Sequence, residues 1–208
     1  MKFVCYAHRY ADAIIKSDLT LESRYNEFIE TLQGITDKDL IDSFRDKKLS
    51  YSTRGTNFKS LSHSINTLLK ERMESIPGWK SEVDIFNDTS GNIINTEWRL
   101  DFACENGIAI EVAFNHGEAI AWNLLKPCLA SELNHVQKAF QTKIGVYVCA
   151  TTEMKKAGNF DNASGSYEKV LRYLKPMMNQ LTTPMMIIGL EPPETFIVDA
   201  KTKDIVMI

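Results

Sequence analysis

Trp98-Arg-Leu-Asp-Phe-Ala-Cys-Glu-Asn-Gly-Ile-Ala-Ile-Glu-Val-Ala-Phe114 reads as two strands, 98–104 and 108–114, joined at Glu105-Asn106-Gly107. Asn-Gly between apolar and β-branched runs marks a hairpin, and a three-residue loop calls for glycine at its left-handed position. Gly107 is expected to take that position. The pairing then runs 104 with 108, 102 with 110 and 101 with 111, so Asp101 and Glu111 face each other with Cβ atoms ~5 Å apart. Two carboxylates so placed repel unless a cation lies between them, and a hard divalent ion such as Mg²⁺ takes oxygen ligands of this kind. Alternatively both point to solvent, or the register is different.

Outward from the hairpin, residues 2–6 read as a short strand and Ala11–Lys16 as a short helix. Leu21–Ile35 is a longer helix, with Leu21, Tyr25, Phe28, Ile29 and Leu32 on one stripe and Gly34 near its end. Lys47–Lys59 is polar and basic, with Lys47, Lys48, Arg54 and Lys59 interleaved with Tyr51 and Phe58. It reads either as a solvated loop or as an arm tracking a nucleic-acid backbone. A helix over about 62–76 presents Ile65, Leu68, Leu69 and Met73 inward and stops at Pro77-Gly78. Trp79–Phe86 leads to the hairpin through a polar loop, Asn87–Thr96.

After the hairpin, Asn115-His116-Gly117 precedes a helix over about 118–140, which Pro127 must kink or break because it lacks an amide donor. Lys143–Ala150 is nearly continuous in apolar residues, as a central strand is. Lys155–Ser166 reads as a polar loop and Tyr167–Leu181 as a helix containing Pro176. Pro184–Leu190 is a second buried strand, and 195–208 forms a small hairpin, Phe196–Asp199 with Ile205–Ile208. The order predicts an α/β fold: a central mixed β-sheet flanked by helices. Residues 1–208 read as a single domain with 195–208 as a C-terminal appendage.

Composition sets outer bounds. With 208 residues, 44% hydrophobic and 25% charged, the chain has the make-up of an ordinary globular protein able to bury a core. No apolar run approaches the ~20 residues a membrane span needs, and the N-terminus lacks a secretory pattern. Cys5, Cys104, Cys128 and Cys149 form no C-x-x-C pair, which argues against zinc and suits reduced thiols in a cytoplasmic protein. A net charge of −3 disfavours a protein that coats nucleic acid, yet allows an enzyme that gathers its basic residues on one face.

Asp101-x9-Glu111-x-Ala113, on a strand pair followed by a helix and a buried strand, resembles the PD-(D/E)xK nuclease superfamily. More narrowly, the chain is similar to the BglII/BstYI group of type II restriction endonucleases. The likeness runs through Ser64-Ile-Asn-Thr-Leu-Leu-Lys70, Gly78-Trp79-Lys80, Ile108–Phe114, Ser131-Glu132, Phe160–Glu168 and Met186-Ile-Ile-Gly-Leu190, in consistent order over roughly residues 1–192.

The resemblance implies a restriction-endonuclease-like fold and a homodimer that cuts both strands of a short palindromic double-stranded DNA site with Mg²⁺, without a nucleotide cofactor. It further implies a GATC-core site cut to leave 5′ overhangs. Asp101 and Glu111, with the backbone carbonyl of Val112, match the metal ligands, and Glu82 matches an upstream polar residue near the scissile phosphate. Asn115 and His116 match DNA-contacting positions, as does the loop containing Asn162, Ser164 and Ser166. Asn suits adenine and Ser is permissive in base contact, although Ser166 is equally placed to cap the helix that follows. Arg54 and Lys59 are the basic candidates for the DNA backbone.

Two departures stand out. Relatives commonly have eight residues between Asp and Glu, where this chain has nine. A facing pair requires an even loop for eight and an odd loop for nine, and Glu105-Asn106-Gly107 supplies three. Position 113 is alanine, where the superfamily often has lysine and this group glutamine, a side chain that orients or activates the attacking water. Arg99, expected opposite Ala113, is a candidate to steady the phosphate, though guanidinium cannot act as a base. Without a replacement for that side chain, the chain is a weakened or inactive DNA-binding relative. A repair or structure-directed nuclease of the same superfamily is a further reading.

Overall fold

The protein is described by a computed structural model over residues 1–53, 55, 58–87, 98–105, 107–132 and 138–208. Arg54, Asn106, His135 and most of the polar loop before the hairpin lie outside the described residues.

A six-stranded mixed sheet forms the centre. It consists of β1 (Phe3–His8), β2 (Trp79–Asp84), β3 (Arg99–Cys104), β4 (Ile108–Val112), β5 (Ile144–Ala150) and β6 (Met185–Leu190), in the order β1-β6-β5-β4-β3-β2. β4, β5 and β6 run parallel, β1 and β3 flank them antiparallel, and β2 pairs antiparallel with β3 at the edge. All residues of β4, β5 and β6 are buried, as continuous apolar strands covered on both faces must be.

Helices α2 (Leu19–Gly34), α3 (Asp37–Thr53) and α4 (Ser62–Glu74) cover one face, burying Phe28, Leu32, Phe44, Ile65 and Leu69 with Ile110, Val146 and Ile188 of the sheet. Helices α5 (Ile120–Ser131) and α7 (Tyr167–Leu174) cover the other, packing Leu124, Cys128 and Val170 with Ala113, Tyr147 and Ile187. The short α1 (Ala11–Ser17) and α6 (Thr152–Ala157) are further α-helices, and a 3-10 turn, Gly117–Ala119, precedes α5. Among the described residues no helix is long and apolar enough to cross a membrane.

Several elements depart from the sequence reading. Lys47–Lys59 is not a loop throughout, because α3 runs to Thr53 and carries Lys47 and Lys48 in its last turns. A reciprocal cap starts that helix: the Asp39 carboxylate accepts from the Thr36 amide and the Thr36 hydroxyl accepts from the Asp39 amide. Leu40 and Phe44 then bury its inner face. Likewise Lys155–Ala157 belongs to α6, capped by Thr151, whose hydroxyl accepts from the Met154 amide. Trp79–Asp84 is a true strand at the sheet edge rather than a lead-in.

α5 ends at Ser131, not near 140, and holds Pro127 within it. α7 ends at Leu174, short of Pro176, which has no amide hydrogen with which to continue the helical ladder.

The tail forms β7 (Phe196–Val198) and β8 (Ile205–Met207), paired antiparallel. Phe196 and Val198 enter the main core. One Asp37 oxygen accepts from the Glu194 amide, the Thr195 amide and the Thr195 hydroxyl, at 2.9, 2.9 and 2.8 Å, tying the tail to the start of α3.

α5 lies close over the sheet because β5 has a glycine beneath its proline. A Cβ on Gly145 would fall 2.8 Å from both Pro127 Cβ and Met185 Cγ. Gly145→Ala should therefore cost about 1–3 kcal/mol through overpacking, read as a lower urea midpoint. An unchanged midpoint would mean that α5 is free to shift.

Candidate active site

β3 and β4 pair at Phe102↔Ile110 and Ala103↔Ala109, the register the hairpin predicts. One step further sets Asp101 across from Glu111. The three-residue connection is present, but Gly107 is not in the left-handed region. Its constraint is spatial: a Cβ there would lie 2.5 Å from the Cys104 sulfur. The Gly107 amide donates to the Cys104 carbonyl at 3.1 Å, which closes the turn.

Beyond Ile110 the ladder gives way. The Val112 amide donates to the Asp101 carboxylate at 2.6 Å, so a side chain satisfies it in place of a strand carbonyl. The Ala113 amide donates to Val148 of β5 at 2.8 Å. The expected Arg99–Ala113 pair is therefore absent from the ladder. Arg99 instead meets Asp84 at 3.3 Å and Glu82 at 3.4 Å, both on β2.

Glu82 itself has φ 51°, and the β2–β3 pairing skips it while keeping the same register on either side. Such a backbone costs about 1–3 kcal/mol and persists only where its surroundings enforce it. Lys70 of α4 reaches Glu82 at 3.7 Å. Together Asn66, Lys70, Glu82, Asp101 and Val112 border a small cavity of about 90 Å³.

Glu111 is the most constrained group. It is 4% exposed, and one of its oxygens, Oε2, has no partner among the described residues. The other accepts from Lys126 Nζ at 2.7 Å. Burial first, then the Asp101 charge, pushes the Glu111 carboxyl up to about 8, against the pull of Lys126. Burial also holds Asp101 above the ordinary value, opposed by the Val112 amide. At a cross-strand spacing of ~5 Å and an effective dielectric of ~20, two carboxylate charges repel by about 3 kcal/mol. Burial and mutual repulsion thus both favour a proton on the pair.

The sequence-predicted contact residues gather beside this pair, at the end of β4. Asn115 and His116 are exposed. The loop 161–166 is zipped onto them: Gly117 N–H donates to Ala163 O at 2.7 Å, Gly165 N–H donates to Asn115 O at 3.0 Å, and His116 bridges Ser164. Asn162 is exposed, whereas the buried Ser164 spends its hydroxyl on the Phe114 carbonyl at 3.0 Å. Ser166 caps α7, accepting from the Lys169 amide at 3.3 Å. Lys59 lies on the rim of a neighbouring 300 Å³ cleft lined by Phe114, Phe160 and Ser164.

Three polar residues escaped the sequence reading. Lys126 carried no motif, and Lys70 closed a family-like segment, Ser64–Lys70, without a role of its own. Asn123 was detectable as a polar residue on the stripe of Ile120, Leu124 and Pro127. It is 4% exposed, donates to Asn115 Oδ1 at 3.0 Å and hydrogen-bonds the buried Tyr147, which neighbours Glu111 across β4 and β5.

The model of the restriction endonuclease BglII/BglIII family matches residues 3–190, almost the whole chain. The chain belongs to this family. It is accordingly a site-specific deoxyribonuclease of the type II restriction class. The fold agrees with the crystal structure of restriction endonuclease BglII complexed with a DNA 16-mer. The two share 17% identity and a TM-score of 0.64, over 99% of this chain and 89% of that one. Free BglII gives 16% identity and a TM-score of 0.51, over 95% and 83%. Comparison with curated protein sequences gives no match.

The raised Glu111 carboxyl fixes a pH dependence for this family member. Folded Glu111 keeps its proton up to about pH 8, whereas the unperturbed group releases it at 4.5. Across that window folding takes up a proton, so metal-free stability falls as pH rises, by at most about 1.4 kcal/mol per unit, and levels off above. Glu111→Gln cannot ionise. In EDTA its urea midpoint should gain on the parent's from pH 5 to pH 8. A constant difference would contradict the raised value.

Proposed function

We propose that this endonuclease acts as a cytoplasmic homodimer, each chain a single domain, that cuts both strands of a short palindromic DNA duplex with Mg²⁺. The observation that carries this reading is the buried Asp101–Glu111 pair with an orphaned Glu111 oxygen. An all-oxygen donor set with excess negative charge suits a hard divalent cation. Asp101, Glu111 and the Val112 carbonyl would hold the ion. Among the described residues there is no cluster of three or more Asp, Glu, His or Cys able to hold one, which leaves backbone and solvent to complete the shell. When bound, the ion supplies a more acidic water and neutralises charge on the phosphate.

The chain's own groups do the rest. Asp101, which borders the small cavity, holds the Val112 amide and with it the end of β4, while Glu111 keeps one buried oxygen unpartnered beside it. Glu82, on its strained backbone, faces the same space, and Arg99 and Lys70 hold it there. Asn115, His116 and Asn162 form an exposed rim for base and phosphate contact, with Lys59 and Arg54 as candidates for the DNA backbone. Ser164 and Ser166 act mainly by shaping that rim, since their hydroxyls are already engaged. The resemblance extends to a GATC-core site and 5′ overhangs.

The buried methyl of Ala113, 3% exposed among apolar neighbours, favours a second reading, a relative that binds its site and cuts poorly. Plasmid incubated with Mg²⁺ separates the two. Discrete fragments, abolished by Asp101→Asn with DNA binding retained, support the first; retention without cutting supports the second. Sedimentation with a duplex carrying the mapped site should show two chains per site, and one chain would contradict the dimer.

A further inference from the structure

We propose that Lys126, carried by α5, supplies the positive, hydrogen-bond-donating group that position 113 lacks, touching the reacting phosphate or its attacking water beside Glu111. This rests on the reading of Asp101 and Glu111 as the cleavage centre.

Side chains alternate along a strand, so residue 113 would present its group on the same face of β4 as Glu111. That face lies under α5. Ala113 packs there with Ile120, Leu124 and Cys128 of that helix, closing the space with a methyl. The polar group arrives instead from the opposite wall. Lys126 lies within α5, its side chain is 20% exposed, and its Nζ is 2.7 Å from Glu111 Oε1. Lysine is seldom held this far from water without a partner, and Glu111 is the one recorded among the described residues. An ammonium has three N–H donors. One is spent on Glu111, and two remain beside the orphaned Oε2.

The other cations near the site are committed elsewhere. Arg99 is engaged by Glu82 and Asp84, and Lys70 by Glu82, all toward the β2 edge. Lys126 alone among them touches Glu111.

The role requires no proton from Lys126. In the hydrolysis, the water oxygen bonds to phosphorus, the bond from phosphorus to the leaving sugar oxygen breaks, that oxygen takes a proton from solvent, and the attacking water gives one up. Lys126 remains a cation throughout, steadying the charge that builds on the phosphate.

The test uses Lys126→Met, Lys126→Arg and Lys126→Ala in the full chain, with a duplex carrying the mapped cleavage site. Under single turnover with saturating Mg²⁺, Lys126→Met should lose about 100-fold or more, the scale of removing one preorganised donor. Lys126→Arg should retain part of the rate. Lys126→Ala should recover with added ethylammonium and not with tetramethylammonium, which has no N–H to donate. In EDTA, anisotropy titrations over a salt series should show Lys126→Met with a salt slope shallower by about one, as for one lost phosphate contact.

A Lys126→Met rate within about threefold of the parent would overturn the proposal. So would a loss that extra Mg²⁺ alone reverses with the salt slope unchanged, because Lys126 would then merely position Glu111. If Lys126→Met fails to fold, Lys126→Gln, which keeps a donor without the charge, serves in its place: full activity there overturns the cationic role. Asp101→Asn separates the two layers. A cutting Asp101→Asn defeats the site itself, whereas an inert Asp101→Asn beside a fully active Lys126→Met defeats the role of Lys126 alone.

Discussion

The hydrogen bond from the Val112 amide to the Asp101 carboxylate, at 2.6 Å, is the contact on which the site depends. A backbone amide inside a buried sheet must find an acceptor, and in an ordinary ladder the neighbouring strand provides it. Here β3 and β4 stop pairing past Ile110, and a side chain takes over. The strands can then part without leaving an unsatisfied amide. The same bond fixes the Asp101 carboxylate beside Glu111 and directs the end of β4 toward the loop that carries Asn162. Acid pair, strand end and contact rim are thus set by one interaction.

The surroundings hold two carboxylates where water would not. α5 closes over the sheet through Pro127 on Gly145, placing Lys126 against Glu111 of β4 and Asn123 against Asn115 just after it. Exposed ion pairs such as Arg99 with Asp84 add little to stability; their importance here is orientation. The acid pair itself costs stability. On the proposed reading that cost keeps Glu111 receptive to a cation, and Glu82 shows a comparable local strain in its backbone.

Much of this was legible in the sequence. The hairpin register, the acid pair and the odd-length turn followed from period-two alternation and loop arithmetic. The central strands followed from their uninterrupted apolar residues, and the terminal hairpin from its two short apolar runs, Phe196–Asp199 and Ile205–Ile208. What failed had physical causes. α3 hides behind a charged sequence in which only Leu40 and Phe44 are fully buried, and its start is set by the local cap of Thr36 and Asp39 rather than by an apolar stripe. Gly107 is glycine because of the Cys104 sulfur, a contact that φ statistics do not contain. Arg99 was assigned to Ala113 by extending a ladder that Asp101 interrupts. Lys126 could not be found at all, since only the packing of α5 brings it to Glu111.

The parallel run of β4 has a metrical consequence. Glu111 and Asn115 are four positions apart on one continuous backbone, and extended chain spans at most about 3.6 Å per residue. On the proposed reading, the backbone position that holds the ion and the one that opens the contact rim are therefore no more than about 14 Å apart, close to four base steps at ~3.4 Å each. The covalent chain is then a ruler: the spacing between cleavage centre and contact rim is written as a count of amino acids.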